Sequence, residues 1–191
     1  MSKNTTKNTT KNELVMINSI TDLYPKYRDT PIEQLFRYHN LNEPFDLCTK
    51  ASLLVGMCMD NRKQLRIPNN YAYIIRTGGG NLRYNEFKIS YAIALGDVKC
   101  IALIGHNHCG MVNLISKKQD FIQGMVKNAG WNEKQAEEHF RSFAPMFEIE
   151  NEIGFLNSEV KRLREKYPRI LIAPLFYNIE DNLLYLMEED R

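Results

Sequence analysis

Residues 98–110 read VKCIALIGHNHCG and place an apolar run directly before two histidines and a cysteine. The run is short and rich in apolar and β-branched residues, which predicts a β-strand buried on both faces. His106, His108 and Cys109 follow at the end of this predicted strand. Residues of these types at such a position are compatible with a metal site, a reactive thiol or a plain turn.

Two other segments share the pattern of a buried strand. Residues 51–60 (ASLLVGMCMD) and 70–76 (NYAYIIR) are short apolar runs, and each predicts another strand. Between the second and third predicted strands, residues 84–96 (YNEFKISYAIALG) predict a helix that ends at Gly96. Because a strand–helix–strand crossover joins parallel strands, the sequence predicts a parallel sheet.

Helix signals lie on either side of this unit. Thr30 is followed by proline and, three positions later, by Glu33, which is the pattern of a capping-box helix start. After GHNHCG, residues 111–115 (MVNLI) are expected to continue as helix. Residues 131–143 predict another helix, with Asn132 as its cap.

The last third of the chain predicts a long helix and a strand pair. An apolar stripe runs from Ile149 to Tyr167 at helical spacing, and Pro168 stops it. Residues 169–190 then predict a strand, a turn over residues 180–182 and a closing strand that pairs antiparallel at an edge. The predicted fold class is therefore α/β, with a central, mainly parallel β-sheet flanked by helices and an antiparallel edge strand at the C-terminus.

Composition indicates one domain and excludes several classes of protein. The chain has 191 residues, which we divide into a disordered low-complexity tail at 1–12 and a single domain at 13–191. No apolar stretch approaches the roughly 20 residues of a membrane helix. The net charge of +2 falls to −1 without three lysines of the tail, so no nucleic-acid partner is expected: Lys3, Lys7 and Lys11. Four cysteines without a secretory signal pattern indicate a cytoplasmic chain with reduced thiols.

Two motifs bring metal-ligand residue types to the same edge of the predicted sheet. CMDNR (58–62) and GHNHCG (105–110) both lie at the carboxyl ends of parallel strands, where ligands gather in α/β proteins. Cys58, His106 and Cys109 match the sulfur and nitrogen donors of a catalytic zinc ion, Zn2+, that keeps its fourth position open. Asp60 and Arg62 alternate with Cys58 and would point to the same side of an extended strand.

The order of the motifs resembles the β-class carbonic anhydrase family. C-x-D-x-R ends one strand, R-x-x-G follows the next (RTGGG, 76–80), G-H-x-x-C-G ends a third, and LFYNIEDNLLYL (175–186) is similar to the family's last strand pair. The resemblance covers the chain from about Thr30 to its end. It implies Cys58, His106 and Cys109 as zinc ligands and Asp60 with Arg62 as the dyad beside the metal. It further implies reversible hydration of carbon dioxide to bicarbonate by a zinc lyase that forms a homodimer or a higher homo-oligomer.

The sequence departs from the family pattern and leaves alternatives open. The stretch between Arg62 and Arg76 is too short for the helix usual there, and RTGGG replaces the family's Arg-Asn-x-Gly. A changed pocket wall suits hydrolysis of carbonyl sulfide or carbon disulfide by the same zinc site. A non-catalytic regulatory domain stabilised by zinc is a further alternative, and it predicts a fourth protein ligand, His108 or Cys48. His108 is otherwise a proton carrier or, more simply, a turn residue.

Overall fold

The structure, a computed structural model, describes residues 14–188 of the chain. The predicted disordered tail at 1–12 lies outside the described residues, and the domain limits at 13 and 191 stay predictions. Within residues 14–188 the chain forms one six-stranded sheet that carries helices on both faces.

The sheet confirms the predicted α/β fold class. Its strand order is β1-β6-β5-β4-β2-β3. β3, β2, β4 and β5 are parallel, while β6 pairs antiparallel with β5, as predicted for the C-terminal strand. A three-residue strand that the sequence did not predict, β1, pairs with β6 from outside. The strands are β1 (Leu14–Met16), β2 (Leu53–Cys58), β3 (Ala72–Thr77), β4 (Cys100–His106), β5 (Leu171–Asn178) and β6 (Leu183–Met187).

Two of the predicted helix starts are confirmed by their caps. Thr30 Oγ1 accepts a hydrogen bond from the backbone N of Ile32 at 3.1 Å, and the Glu33 carboxylate accepts one from the backbone N of Asp29. Asn132 caps α4 from its side chain. Among the described residues, no helix combines the length and apolar character needed to cross a membrane. The helices are α1 (Pro31–His39), α2 (Glu86–Ala94), α3 (Lys118–Ala129), α4 (Glu133–Phe143) and α5 (Glu152–Lys166).

Side chains of the central strands alternate between two apolar cores. Leu53, Val55 and Met57 of β2 belong to the core that includes α1, and Leu54 belongs to the core that includes α2 and α5. All six residues of β2 are buried. Because burying this apolar surface holds β2 and β4 rigidly in register, the residues that follow them are placed at a fixed edge of the sheet.

The crossover topology brings the two polar motifs together. β2 and β4 are hydrogen-bonded neighbours in parallel register, with Met57 opposite Ile104. The chain between them passes through β3 and α2, so β4 returns to the inner side of β2. The carboxyl ends of both strands therefore lie side by side, as the strand–helix–strand pattern predicts.

Three local predictions were wrong. Residues 111–113 are not helical, since Asn113 has a φ of +51° and Val112 forms a bridge to Ile149; a short 3-10 helix begins only at Leu114. Ile149 consequently lies outside α5. β3 is not buried on both faces: it is the outermost strand, and Ile74 keeps 47% of its surface exposed.

Candidate metal centre

Three potential metal ligands converge where β2 and β4 end. Cys58 is the last residue of β2, His106 is the last residue of β4, and Cys109 follows three positions later. One ligand atom from each lies within 4.8 Å of the others. All three side chains are buried, with exposures of 3%, 1% and 6%. The structure thus brings together the three residues that the sequence predicts as ligands.

The hydrogen bonds of His106 leave one ring nitrogen free for a metal ion. Nδ1 lies 2.8 Å from the backbone oxygen of Asn107, so it carries the proton and donates to that carbonyl. Nε2 is buried without a hydrogen-bond partner. A buried imidazole nitrogen without a partner is costly in an apo protein, whereas it is the normal state of a metal ligand. The site therefore fits a metal ion.

The two cysteines form a thiol pair that holds one negative charge. Their Sγ atoms are 3.9 Å apart. The hydrogen bond shared with the Cys109 thiol lowers the pKa of Cys58. The same contact raises the pKa of Cys109, because a second thiolate would lie against the first. Binding a cation between them would release the remaining proton, since a metal binds the thiolate form of cysteine.

The backbone of Cys109 is held by α5. The helix expected at residues 111–115 does not start at Met111, so no helix N-terminus lies beside Cys109. Instead the backbone N of Cys109 donates to a carboxylate oxygen of Glu152, at 3.1 Å, in the first turn of α5. The sequence carried no signal for this contact, because the two residues are 43 positions apart.

Asp60 and Arg62 form a close ion pair beside the thiols. Nη2 of Arg62 lies 2.6 Å from Oδ2 of Asp60, while Nε and the backbone N of Arg62 donate to Oδ1. These hydrogen bonds hold the pKa of Asp60 well below its usual range. Nη2 also donates to the backbone oxygen of His108, which ties the pair to the loop between the two other ligands. β2 ends at Cys58, so a turn, rather than the extended strand expected, brings Asp60 and Arg62 together.

Lys63 is a buried cation that sequence analysis missed. Its side chain is almost fully buried, with 1% of the residue exposed, and Nζ donates to the backbone oxygen of Cys58 at 3.2 Å. Burial lowers the pKa of Lys63 to about 8. Lysine is among the residue types least often buried. By residue type alone, a lysine that follows Arg62 in the sequence is therefore expected to be exposed to solvent.

The glycine run lets the backbone after β3 come close to the ends of β2 and β4. Gly79 and Gly80 have φ values of +64° and +74°, which favour glycine. Backbone atoms of Met57, Cys58 and Ile104 lie 3.7–3.8 Å from the place a Gly80 side chain would occupy. The turn after β3 is therefore packed against the ends of β2 and β4.

Neither residue offered as a fourth protein ligand points at the cluster. His108 Nε2 lies 2.9 Å from a carboxylate oxygen of Glu180, and the His108 side chain is largely exposed. Cys48 Sγ contacts the backbone oxygen of Asp46. Cys100 is buried in the core that includes α1. These placements are compatible with a site of three protein ligands.

An apolar chamber adjoins the thiol pair. Its volume is about 280 Å³, and it lies between the loops after β2 and β3 and the hairpin of α3 and α4. Met111 both lines this chamber and packs against the cluster that contains Cys58 and Cys109. Four aromatic rings and a second methionine complete most of the wall: Phe121, Phe140, Phe143, Phe147 and Met59. An uncharged apolar molecule therefore finds a favourable environment next to the candidate metal site.

Comparison with known proteins supports the fold at low sequence identity. No protein-family model and no curated protein matches the sequence. A β-carbonic anhydrase of Trichomonas vaginalis superposes with a TM-score of 0.58 and 19% identity, over 79% of this chain and 90% of that one. A carbonic anhydrase of Glaciozyma antarctica superposes with a TM-score of 0.56 and 18% identity, over 75% and 85%.

A third solved structure with this fold is named for a different activity. The apo form of a carbon disulfide hydrolase superposes with a TM-score of 0.51 and 20% identity, over 72% of this chain and 79% of that one. Together the three likenesses show that the chain has the fold of the β-carbonic anhydrases, as the motif resemblance implied. At this level of sequence identity the three likenesses show the fold alone.

Proposed function

We propose that the chain is a zinc enzyme that reversibly hydrates carbon dioxide to bicarbonate and a proton. The single observation that carries the proposal is the convergence of Cys58, His106 and Cys109. A carboxylate–guanidinium pair begins at Asp60, two positions after Cys58 in the sequence. A structural zinc site would have no use for Asp60 and Arg62, whereas a catalytic site needs groups that orient the reacting water.

The donor set favours zinc over magnesium and calcium, and the spacing of the two sulfurs suits a tetrahedral zinc ion. Two thiolates and an imidazole are soft and intermediate ligands, which zinc accepts and which magnesium and calcium do not. Two sulfurs bound to one tetrahedral zinc ion are about 3.8 Å apart. The Sγ atoms of Cys58 and Cys109 are already 3.9 Å apart. When bound, zinc lowers the pKa of a coordinated water to about 7 and so supplies a nucleophile at neutral pH.

Asp60 and Arg62 would orient the reacting water. Asp60 is ionised at neutral pH, and Arg62 lowers its pKa further, so its carboxylate would accept a hydrogen bond from the water and could not donate one. Arg62 fixes the direction of the carboxylate through the paired contacts and through the His108 carbonyl. Carbon dioxide needs no protonation, so a fixed acceptor that aims the nucleophile is the contribution that these residues make.

The test is carbon dioxide hydration by the zinc-loaded chain, with Asp60→Asn as the decisive variant. We expect turnover by the native chain and a loss of about 10–100-fold in the variant with zinc retained, since the neutral amide no longer only accepts. Asp97→Asn is the matched control, because Asp97 also pairs with basic side chains, Lys50 and Lys99, on another part of the surface. A native chain that holds one zinc ion and hydrates no carbon dioxide would contradict the proposal.

A second candidate activity is hydrolysis of carbon disulfide or carbonyl sulfide at the same site. The apolar chamber that shares Met111 with the thiol pair favours it, because these linear molecules are uncharged and carbon disulfide is strongly apolar. A solved structure with the same fold is a carbon disulfide hydrolase. Sulfide release by the zinc-loaded chain would support this activity. The absence of sulfide release from a preparation that does hydrate carbon dioxide would exclude it.

We also propose that the enzyme is a homodimer that pairs through β3. β3 is the outermost strand on its side of the sheet and offers unpaired backbone groups to a second copy. Exposed apolar side chains lie on β3, on α2 and directly after α2: Ile74, Phe87 and Leu95. The ring of Tyr73 on β3 packs at Gly96, which also follows α2. Phe87→Asp should convert the dimer to a monomer in light scattering, and a native chain that is monomeric would contradict the proposal.

The compartment we propose is the cytosol. Ligation requires thiolates, and a disulfide between Cys58 and Cys109 would remove both sulfur ligands at once. Both cysteines are free, as are Cys48 and Cys100. A reducing compartment therefore preserves the site.

A further inference from the structure

Asn107, which lies between two of the candidate ligands, joins the metal site to the turn between β5 and β6. Its backbone oxygen accepts the hydrogen bond from His106 Nδ1. Its side chain points away to the neighbouring turn. Because β4 and β5 are parallel, with His106 opposite Tyr177, the residues that follow the two strands lie next to each other.

Every side-chain polar group of Asn107 is used in this contact. Oδ1 accepts a hydrogen bond from the backbone N of Ile179 at 2.9 Å. Nδ2 donates to Oδ1 of Asn178 at 3.1 Å and to a carboxylate oxygen of Glu180. The turn is itself held by further bonds, since Asn178 Nδ2 donates to Asp181. Asn107 is therefore anchored to a rigid part of the fold.

The backbone that follows Asn107 is held in an unfavourable conformation. His108 has a φ of +54°, in the left-handed region that residues other than glycine rarely adopt. Contacts at both ends of His108 hold this conformation: its backbone oxygen accepts from Arg62, and its ring contacts Glu180. Strain of this kind persists only where the surroundings fix it, and it is common at functional sites.

We propose that Asn107 is a positioning residue of the metal centre, which fixes the orientation of the His106 ring through the β5–β6 turn. The side chain holds the Asn107 peptide in place, the peptide oxygen keeps the proton on Nδ1, and Nε2 is thereby presented to the metal. The inference rests on the proposed zinc site only in that His106 is one of its ligands. Glu180 is part of the same set of contacts, because its carboxylate contacts the side chains of both Asn107 and His108.

The test compares zinc affinity among three variants by competition with a chromophoric chelator. Asn107→Ala should bind zinc about 10–100-fold more weakly than the native chain, the usual effect of removing a group that orients a ligand. Glu180→Ala should weaken binding in the same direction, and its exposed position makes it safe for folding. Asn40→Ala is the matched control, because Asn40 makes three side-chain hydrogen bonds at the end of α1, away from the metal loop.

A charge exchange separates positioning from simple loss of stability. Asn107→Asp places a second carboxylate against Glu180 and should weaken zinc binding. Adding Glu180→Gln restores a donor opposite the new carboxylate and should recover most of the lost affinity. Zinc affinity in Asn107→Ala that equals the native value, or that falls no further than in Asn40→Ala, would overturn the proposal.

A readout on the metal-free chain keeps this test apart from that of the proposed function. Nitrogen-15 spectra of labelled histidine distinguish the two neutral ring forms. In the native chain His106 should be protonated at Nδ1 alone, and in Asn107→Ala the two forms should be mixed. An unchanged ring form in that variant would refute the role of Asn107 even if the native chain hydrates carbon dioxide. A changed form would support it even if the chain proves inactive.

Discussion

Replacing Lys63 with methionine should stabilise the metal-free chain. Methionine has nearly the length of the lysine stem but no charge. Burial lowers the pKa of Lys63 from 10.5 to about 8, which means that folding opposes the charged form by roughly 3 kcal/mol. Lys63→Met removes this cost but forfeits the hydrogen bond to the Cys58 carbonyl, about 1 kcal/mol. The net gain in free energy of unfolding near neutral pH is about 2 kcal/mol.

The pH dependence has a definite sign. Between pH 8 and 10.5 the unfolded chain binds a proton at Lys63 that the folded chain does not, so the stability of the native chain rises with pH across this window. Lys63→Met lacks that rise. Its advantage over the native chain should therefore be largest below pH 8 and should vanish by about pH 10.

Urea unfolding of the reduced, metal-free chains at about pH 7 and about pH 10 measures both quantities. Lys50→Met is the matched control, because Lys50 is an exposed lysine paired with Asp97, and we expect no change from it. A Lys63→Met chain that is less stable than the native chain at neutral pH, or one whose advantage does not change with pH, would refute this reasoning.

Three further outcomes are expected. Arg62→Met should free the Asp60 carboxylate to approach the metal, so carbon dioxide hydration should fall about 10–100-fold while zinc stays bound. A cobalt-substituted sample of the variant should show a changed visible spectrum. An unaltered rate would contradict the proposed role of the Asp60–Arg62 pair. Burial lowers the pKa of His39 below 6.5, so the unfolded chain takes up the proton first and the free energy of unfolding should fall as the pH drops below about 6.5. In urea unfolding, His39→Asn should reduce this dependence on pH. A variant with the same pH dependence as the native chain would exclude His39 as the cause. Gly56→Ala should lower the free energy of unfolding by about 1–3 kcal/mol, because the added carbon would lie 2.7 Å from a methyl group of Leu82; unchanged stability would mean that Leu82 moves aside freely.

The part of the fold that local pattern determines was predictable. Apolar runs of strand length, a proline and an acidic residue after Thr30, and Asn132 before a helical stripe each act within a few residues, and the structure follows them. Parallel order then follows from the crossover, and with it the meeting of Cys58 and His106 at one edge of the sheet.

The missed features depend on residues far away in sequence. Met111 and Val112 look helical in isolation, but one packs on the thiol pair and the other pairs with Ile149. β1 is too short to show a period and exists because β6 offers it an edge. Lys63 is buried and Glu152 binds the Cys109 backbone through tertiary contacts alone, which no local pattern encodes.

X-ray absorption at the zinc edge of the native chain tests the central claim most directly. With one zinc ion per chain, we predict two sulfur neighbours at about 2.3 Å, one imidazole nitrogen at about 2.0–2.1 Å and one further light atom in the remaining position. Loss of one sulfur neighbour in Cys109→Ser would identify its source. A native spectrum with fewer than two sulfur neighbours, or with no imidazole contribution, would contradict the account.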